Sequence, residues 1–176
     1  MPHAELSKGN FDKSELMNSD FPRDEDDLAS FMQAFEDGQL PKASWIHASH
    51  IAVATVYLRR CRGEALPTMR AAIVRYNQAV GTENSESSGY HETLTIFWLA
   101  VLAESLDSMD AISTVDAVRH LIGMFDSRRS LHSEYYSTDI VKSREARRSW
   151  FSPDRKPLPG LASILGTNKP DTNGSR

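Results

Sequence analysis

Residues 44–58 read SWIHASHIAVATVYL, and this stretch decides the fold. Ser44 has the residue type of a helix N-cap. The residues after it are almost wholly apolar, a run too long for a buried strand and suited to a helix buried in a bundle. Two histidines, His47 and His50, stand three residues apart, and positions at that spacing share a helix face. At about 100° per residue, Ile51, Ala54 and Leu58 fall within about 60° of His47, and His50 lies about 60° to the other side, near Tyr57. Both imidazoles therefore point into an apolar stripe, where a polar group needs a partner.

Helical patterns extend on both sides. Upstream, 24–27 place four carboxylates where the positive end of a helix dipole favours them. Leu28, Phe31, Met32 and Phe35 follow at helical spacing, and Gly38 with Pro41 ends the helix. Glu36 then falls in its last turn, a poor place for a carboxylate unless a cation is near. The central helix runs to about Arg62, where Gly63 stops it. A third helix covers about 64–80, with Pro67 tolerated in its first turn. A polar loop, TENSESSG, leads to a fourth helix starting near Ser88 or Gly89 and ending about Ser105. Counted from His91, Leu94, Trp98 and Leu102 lie within about 60°, so His91 also falls on an apolar stripe. A fifth helix covers about 110–125. Shorter helical pieces are expected at 130–136 and after Ser143, followed by an extended, proline-rich SPDRKPLPG. No strand alternation and no repeat is present.

The expected fold is all-α: a single-domain up-and-down bundle of about five main helices with a short C-terminal wrap. The expected organisation is a flexible arm at 1–22, a helical domain at 23–159 and a disordered tail at 160–176.

The chain has 176 residues, 40% hydrophobic and 25% charged, ordinary for a globular domain. One cysteine, Cys61, excludes an internal disulfide and a Cys-rich zinc site. No run approaches membrane-span length and the N-terminus lacks a signal-peptide core, so a cytoplasmic location is expected. The net charge of −4 argues against bulk nucleic-acid binding. It hides an asymmetry: residues 1–37 carry three basic and ten acidic side chains, and residues 128–156 eight basic and four acidic. The bland reading is two solvated surfaces that attract each other. The sharper one is a basic patch for an anionic ligand.

Short connections make neighbouring helices antiparallel, so the second and fourth helices start at one end of the bundle. His47, His50 and His91 then share a level, and the last turn of the first helix brings Glu36 there. Three imidazoles and a carboxylate are a full shell for a divalent transition metal such as iron, manganese, zinc or copper. On this reading the metal ligands are His47, His50 and His91. The catalytic candidates beside them are Glu92, Glu36 and Tyr57, in an oxygenase- or hydrolase-type enzyme acting on a small molecule. The alternative is a non-catalytic helical module that binds a ligand or partner, with its histidines hydrogen-bonded in the core. HxxH lacks the glutamate of the zinc-protease helix, and no phosphate loop or nucleophile elbow is present. Trp45, Trp98 and Trp150 read as core and staple residues, and His120 and His132 as surface or packing residues.

The segments FEDGQLPKASWIHASH, GYHETLT and SREARRSWFSPDRKPLP together resemble a family of small, functionally unassigned bacterial all-helical proteins, over about residues 28–159. The resemblance implies that His47, His50, His91 and Glu92 belong to a shared signature. It implies no activity.

Overall fold

The computed structural model describes residues 21–166, and among them there are helices and turns and no strand. The five main helices are α1 (Glu25–Glu36), α2 (His47–Cys61), α3 (Ala65–Ala79), α4 (Glu92–Leu106) and α5 (Thr114–Phe125). Two short helices come after them, α6 (Arg144–Arg148) and α7 (Leu161–Leu165). No helix among the described residues is long and apolar enough to cross a membrane.

α2 is the axis of the molecule. Its residues from Ile51 to Leu58 are all buried, and it packs against α3, α4 and α5 at once. A helix apolar on every side is stable only when neighbours cover every side. Its buried threonine and serine hydroxyls are satisfied locally, Thr55 by the Ile51 carbonyl at 2.7 Å and Ser49 by that of Ser44 at 2.5 Å. α4 is the second internal helix, covered by α2, α3, α6 and α7.

The helix directions follow from their end contacts. Arg59, near the end of α2, donates to the Met109 carbonyl just beyond α4, at 2.6 Å. Arg62 reaches the Ala103 carbonyl and Asp107 at the end of α4. The starts of both helices line one cavity at the opposite end, together with Tyr76 and Asn77 from the end of α3. α2 and α4 are thus parallel and α3 runs against them, as the short connections require.

Several boundaries differ from the sequence expectation. α1 begins and ends as expected: Asp24 Oδ1 accepts from the Asp27 amide at 2.8 Å, and Gly38 takes φ +68°. A Cβ on Gly38 would lie 2.5 Å from that of Ala79, so the turn packs directly on α3. Ser44, in contrast, does not cap α2. It closes a 3-10 turn, Lys42–Ser44, in which its amide donates to the Pro41 carbonyl at 2.8 Å, and α2 starts at His47 without a side-chain cap. α4 starts at Glu92, later than expected, because Asn84 holds the preceding loop. Its amide Nδ2 donates to the Val74 carbonyl at 3.2 Å, and its Oδ1 accepts from Asn77 Nδ2 at 2.8 Å and from the Tyr90 amide at 3.1 Å. α5 starts at Thr114 on a Ser113 cap. The piece expected at 130–136 is a 3-10 turn, Leu131–Glu134. Ser143 does cap α6, accepting from the Ala146 amide at 3.1 Å, but the helix ends before Trp150.

The chain ends also differ. Phe21 and Pro22, expected in the flexible arm, are buried, and Phe21 meets Phe31 edge-on at 5.2 Å. Arg119 of α5 donates to the Pro22 carbonyl at 2.6 Å. Residues 160–166, expected in the tail, include α7, which buries Ile164 and packs on α4. Gly160 makes this possible. A Cβ there would lie 2.2 Å from the Ala100 carbonyl oxygen. The remaining parts of the expected arm and tail, 1–20 and 167–176, lie outside the described residues.

Candidate functional site

At the shared end of α2 and α4 is a cavity of about 640 Å³. Its wall is largely apolar: Trp45, Ile46, Ala54, Met69, Ile73, Leu94, Trp98 and Leu99. His47, His50 and His91 also line it, so the topology does bring the three imidazoles to one place.

Their roles differ. His91 is not in the first turn of α4 but is its N-cap. Its Nδ1 accepts from the Leu94 amide at 3.3 Å, so the proton sits on Nε2, which donates to the Ile140 carbonyl at 3.0 Å. Both ring nitrogens are therefore in use. His50 lies against Trp45, ring centroids 3.9 Å apart, and Trp45 is stacked in turn on Phe35 at 4.6 Å. Neither ring nitrogen of His50 makes a hydrogen bond among the described residues. Burial, and then repulsion from His47, pushes its imidazole down to about 3. His47 meets Trp98 edge-on at 4.6 Å, and its Nε2 is buried without a hydrogen-bond partner. Burial holds its titration below the usual range, against the opposing charge of Asp126. Both residues are neutral at physiological pH.

Of the three imidazoles, His91 alone is engaged through both ring nitrogens. His91 would have to give up its cap or its bond to Ile140 to offer a nitrogen. Among the described residues no group of three or more His, Cys, Asp or Glu side chains could hold a metal ion.

The carboxylate and phenol candidates lie off the cavity wall. Glu36 follows Phe35 by one residue, about 100° around α1. Phe35 faces Trp45 and Tyr76, so Glu36 is turned away, toward the far half of α2. There it accepts from the Tyr57 hydroxyl at 3.2 Å and pairs with Arg60 at 3.5 Å. Arg60 is the cation that its place in the last turn required. Tyr57 is kept protonated: burial, and then the Glu36 charge, raise its titration. Glu92 is held by Arg70 through two bonds and by the Tyr90 hydroxyl at 2.7 Å. These three residues tie helices together.

The sequence reading missed the polar part of the wall. Lys42, Arg129 and Arg147 line the cavity, and no carboxylate does. Trp45 and Trp98 are wall residues rather than pure core. Asn77, Thr82 and Thr95 add polar atoms. The only signal for the arginines was the basic stretch 128–156. His120 is exposed, and His132 is half-buried with Nδ1 unpartnered. Cys61 donates to the Tyr57 carbonyl at 3.4 Å within its own helix.

No protein-family model matches the chain, and no curated protein or solved structure matches it. What fold and site define is a class by architecture: a small helical bundle with an aromatic-walled cavity at one end.

Proposed function

We propose that this protein is a helical binding module whose cavity takes one small, mainly apolar molecule. The observation that carries this is the cavity itself. Its volume of about 640 Å³ falls in the range of roughly 300–1,000 Å³ found for small-molecule sites. Its wall combines two indoles, aliphatic side chains and a few polar atoms, the usual make-up of such sites. Two neutral imidazoles on the wall offer hydrogen-bond donors or acceptors without charge.

Binding without catalysis is favoured by where the reactive groups are spent. Three of the four wall hydroxyls are engaged: Tyr76 donates to the Leu40 carbonyl, Tyr90 to Glu92 and Thr95 to the His91 carbonyl. The three acid–base candidates expected from the sequence are bound elsewhere. One observation supports the metal-dependent reading as a second possibility: His47 Nε2 is buried and unpartnered, three residues from His50 on the same wall. Metal analysis of untagged protein decides this, since fewer than about 0.1 equivalents of any transition metal after gel filtration rejects it.

The binding reading is tested with N-phenyl-1-naphthylamine, a neutral apolar fluorophore. Saturable binding near one equivalent is expected, and Thr95→Phe, which puts a ring on the cavity wall, should change its affinity by at least about threefold while leaving the helical circular dichroism intact. Absence of saturable binding, or equal binding by this variant, overturns the reading.

A further inference from the structure

Resting on the binding reading, we propose that the ligand is an acid: an apolar body placed against the Trp98 side of the cavity, with one anionic group received by Arg147.

The basic stretch 128–156 resolves into two kinds of cation. Arg128 and Lys156 pair with Glu134, Arg129 with Asp126, Lys142 with Asp139, and Arg144 and Arg148 with Glu86. Arg155 donates to the Ser133 carbonyl and does not line the cavity. Arg147 is different. It is half-buried, lines the cavity and has no carboxylate partner among the described residues. Its Nη1 donates to the carbonyls of Gly89 and Tyr90 at 3.0 and 3.3 Å. Nε and Nη2 make no hydrogen bond among the described residues. One arm of the guanidinium is thus anchored and the remaining donors are free, the arrangement that suits recognition of a planar or tetrahedral anion.

A half-buried cation facing an apolar cavity without a counter-ion is costly. Burial alone lowers the Arg147 titration. The cost is offset when an anion arrives, and low-dielectric walls strengthen that attraction. Lys42, exposed, adds positive potential from another segment, and Arg129 adds what its pair with Asp126 at 3.8 Å leaves.

The anion receptor is also pre-positioned. Ala146 beside it is fully buried and Ser143 caps its helix. Thr93 fastens the segment after that helix, accepting from the Phe151 amide at 3.0 Å and donating to the Ser149 carbonyl at 2.8 Å. Immobilised donors lose little entropy on binding. The C-terminal wrap therefore supplies the residue that reads the ligand's charge.

The test compares two probes that share one body. 8-Anilino-1-naphthalenesulfonate is N-phenyl-1-naphthylamine with a sulfonate added. The full chain should bind the sulfonate about tenfold or more tightly than the neutral probe, the effect of one charged hydrogen-bonded contact. That preference should shrink as salt is raised to about 0.5 M. Arg147→Gln should remove it while changing neutral-probe affinity less than about twofold, and Arg147→Lys should restore part of it. Should Arg147→Gln fail to fold, Lys42→Gln and Arg129→Gln, at exposed positions, should each reduce the preference by about two- to threefold. Equal binding of both probes by the wild type, or a preference that survives Arg147→Gln, overturns the acid assignment and leaves the binding reading standing. Failure of the neutral probe to bind overturns the binding reading itself.

Discussion

His91 donates from Nε2 to the carbonyl oxygen of Ile140 at 3.0 Å, and through this bond the start of α4 is fastened to the C-terminal wrap. The other ring nitrogen caps α4 by accepting from the Leu94 amide. Ile140 is fully buried, and its carbonyl accepts a second bond from the Ser143 amide at 3.2 Å, so the imidazole joins the same carbonyl that opens the Ser143 turn. His91→Ala removes both functions. Losing a cap costs about 1 kcal/mol, and losing one of the two hydrogen bonds to the Ile140 carbonyl, which keeps the Ser143 amide at 3.2 Å, costs about 0.5–1.5 kcal/mol. His91→Asn keeps a cap and loses only the second bond. Urea denaturation should therefore rank wild type above His91→Asn above His91→Ala. Equal stability of the two variants contradicts a dual role for this imidazole.

The wrap depends equally on Thr93 and on Ile164. Thr93→Val keeps the shape of the side chain but loses both bonds, to the Ser149 carbonyl and from the Phe151 amide, and should cost about 1–3 kcal/mol. Ile164 is 4% exposed and the adjacent Leu165 39%. Ile164→Ala should cost about 2–4 kcal/mol and Leu165→Ala less than about 0.5 kcal/mol. Gly160→Ala should be as harmful as Ile164→Ala, since its methyl would overlap the Ala100 carbonyl. Thermal melts of these variants check the ranking. If Ile164→Ala and Leu165→Ala melt alike, α7 is not packed on α4 in solution.

What the sequence revealed and what it hid have separate physical causes. The main helices were legible because α1, α3 and α5 carry their apolar residues at helical spacing and α1 has both its start and stop signals beside it. The meeting of His47, His50 and His91 was legible too, because short connections leave few ways to run the chain. The start of α2 was not, since Pro41 and the turn after it use Ser44 before the helix can. The start of α4 was hidden by Asn84, whose side chain bonds to residues on both sides of its loop. The duties of the histidines were hidden for a related reason. Whether an imidazole is free depends on a carbonyl such as that of Ile140, far along the chain. Arg147 looked like one cation among eight, and only folding showed which of them lines the cavity without a carboxylate beside it.

Glu36, Tyr57 and Glu92 should behave as structural residues. Glu36 is 37% exposed at its side chain and Arg60 54%, so their pair lies in the range of surface ion pairs, worth at most about 1 kcal/mol. Glu36→Gln and Tyr57→Phe should each shift stability by no more than about 1–1.5 kcal/mol. Glu92 is 13% exposed and held by three bonds, and Glu92→Gln should cost more, about 1–3 kcal/mol. Titration of N-phenyl-1-naphthylamine into Glu36→Gln and Tyr57→Phe should give wild-type affinity within about twofold. A loss of tenfold or more in either would place that residue at the cavity after all.

Acid should unfold this protein through its histidines before its carboxylates. The titrations of His47, His50 and His91 all lie below the unfolded value of 6.5, with burial the largest cause in each case. A group whose folded value is lowered binds fewer protons in the native state than in the unfolded chain. Stability therefore rises with pH across the window between the two values and is lost as pH falls through it. Each fully engaged group contributes a slope of about 1.4 kcal/mol per pH unit at 25 °C. Protonation of His91 has a local reason to be unfavourable, because it removes the acceptor that caps α4. The melting temperature should thus be flat above about pH 7.5 and fall steadily from about pH 7 to pH 5. The His50 contribution should continue falling toward its folded value of about 3. His50→Gln should flatten the lower part of this curve, between about pH 5 and 4, above the folded value of about 3. Asp27, raised by burial but lowered on balance by its bonds to Arg23, acts only below the ordinary carboxylate value of 3.8 and cannot produce the earlier decline. A melting temperature that stays constant from about pH 8 to pH 5 would show that these imidazoles are already solvated in the native state.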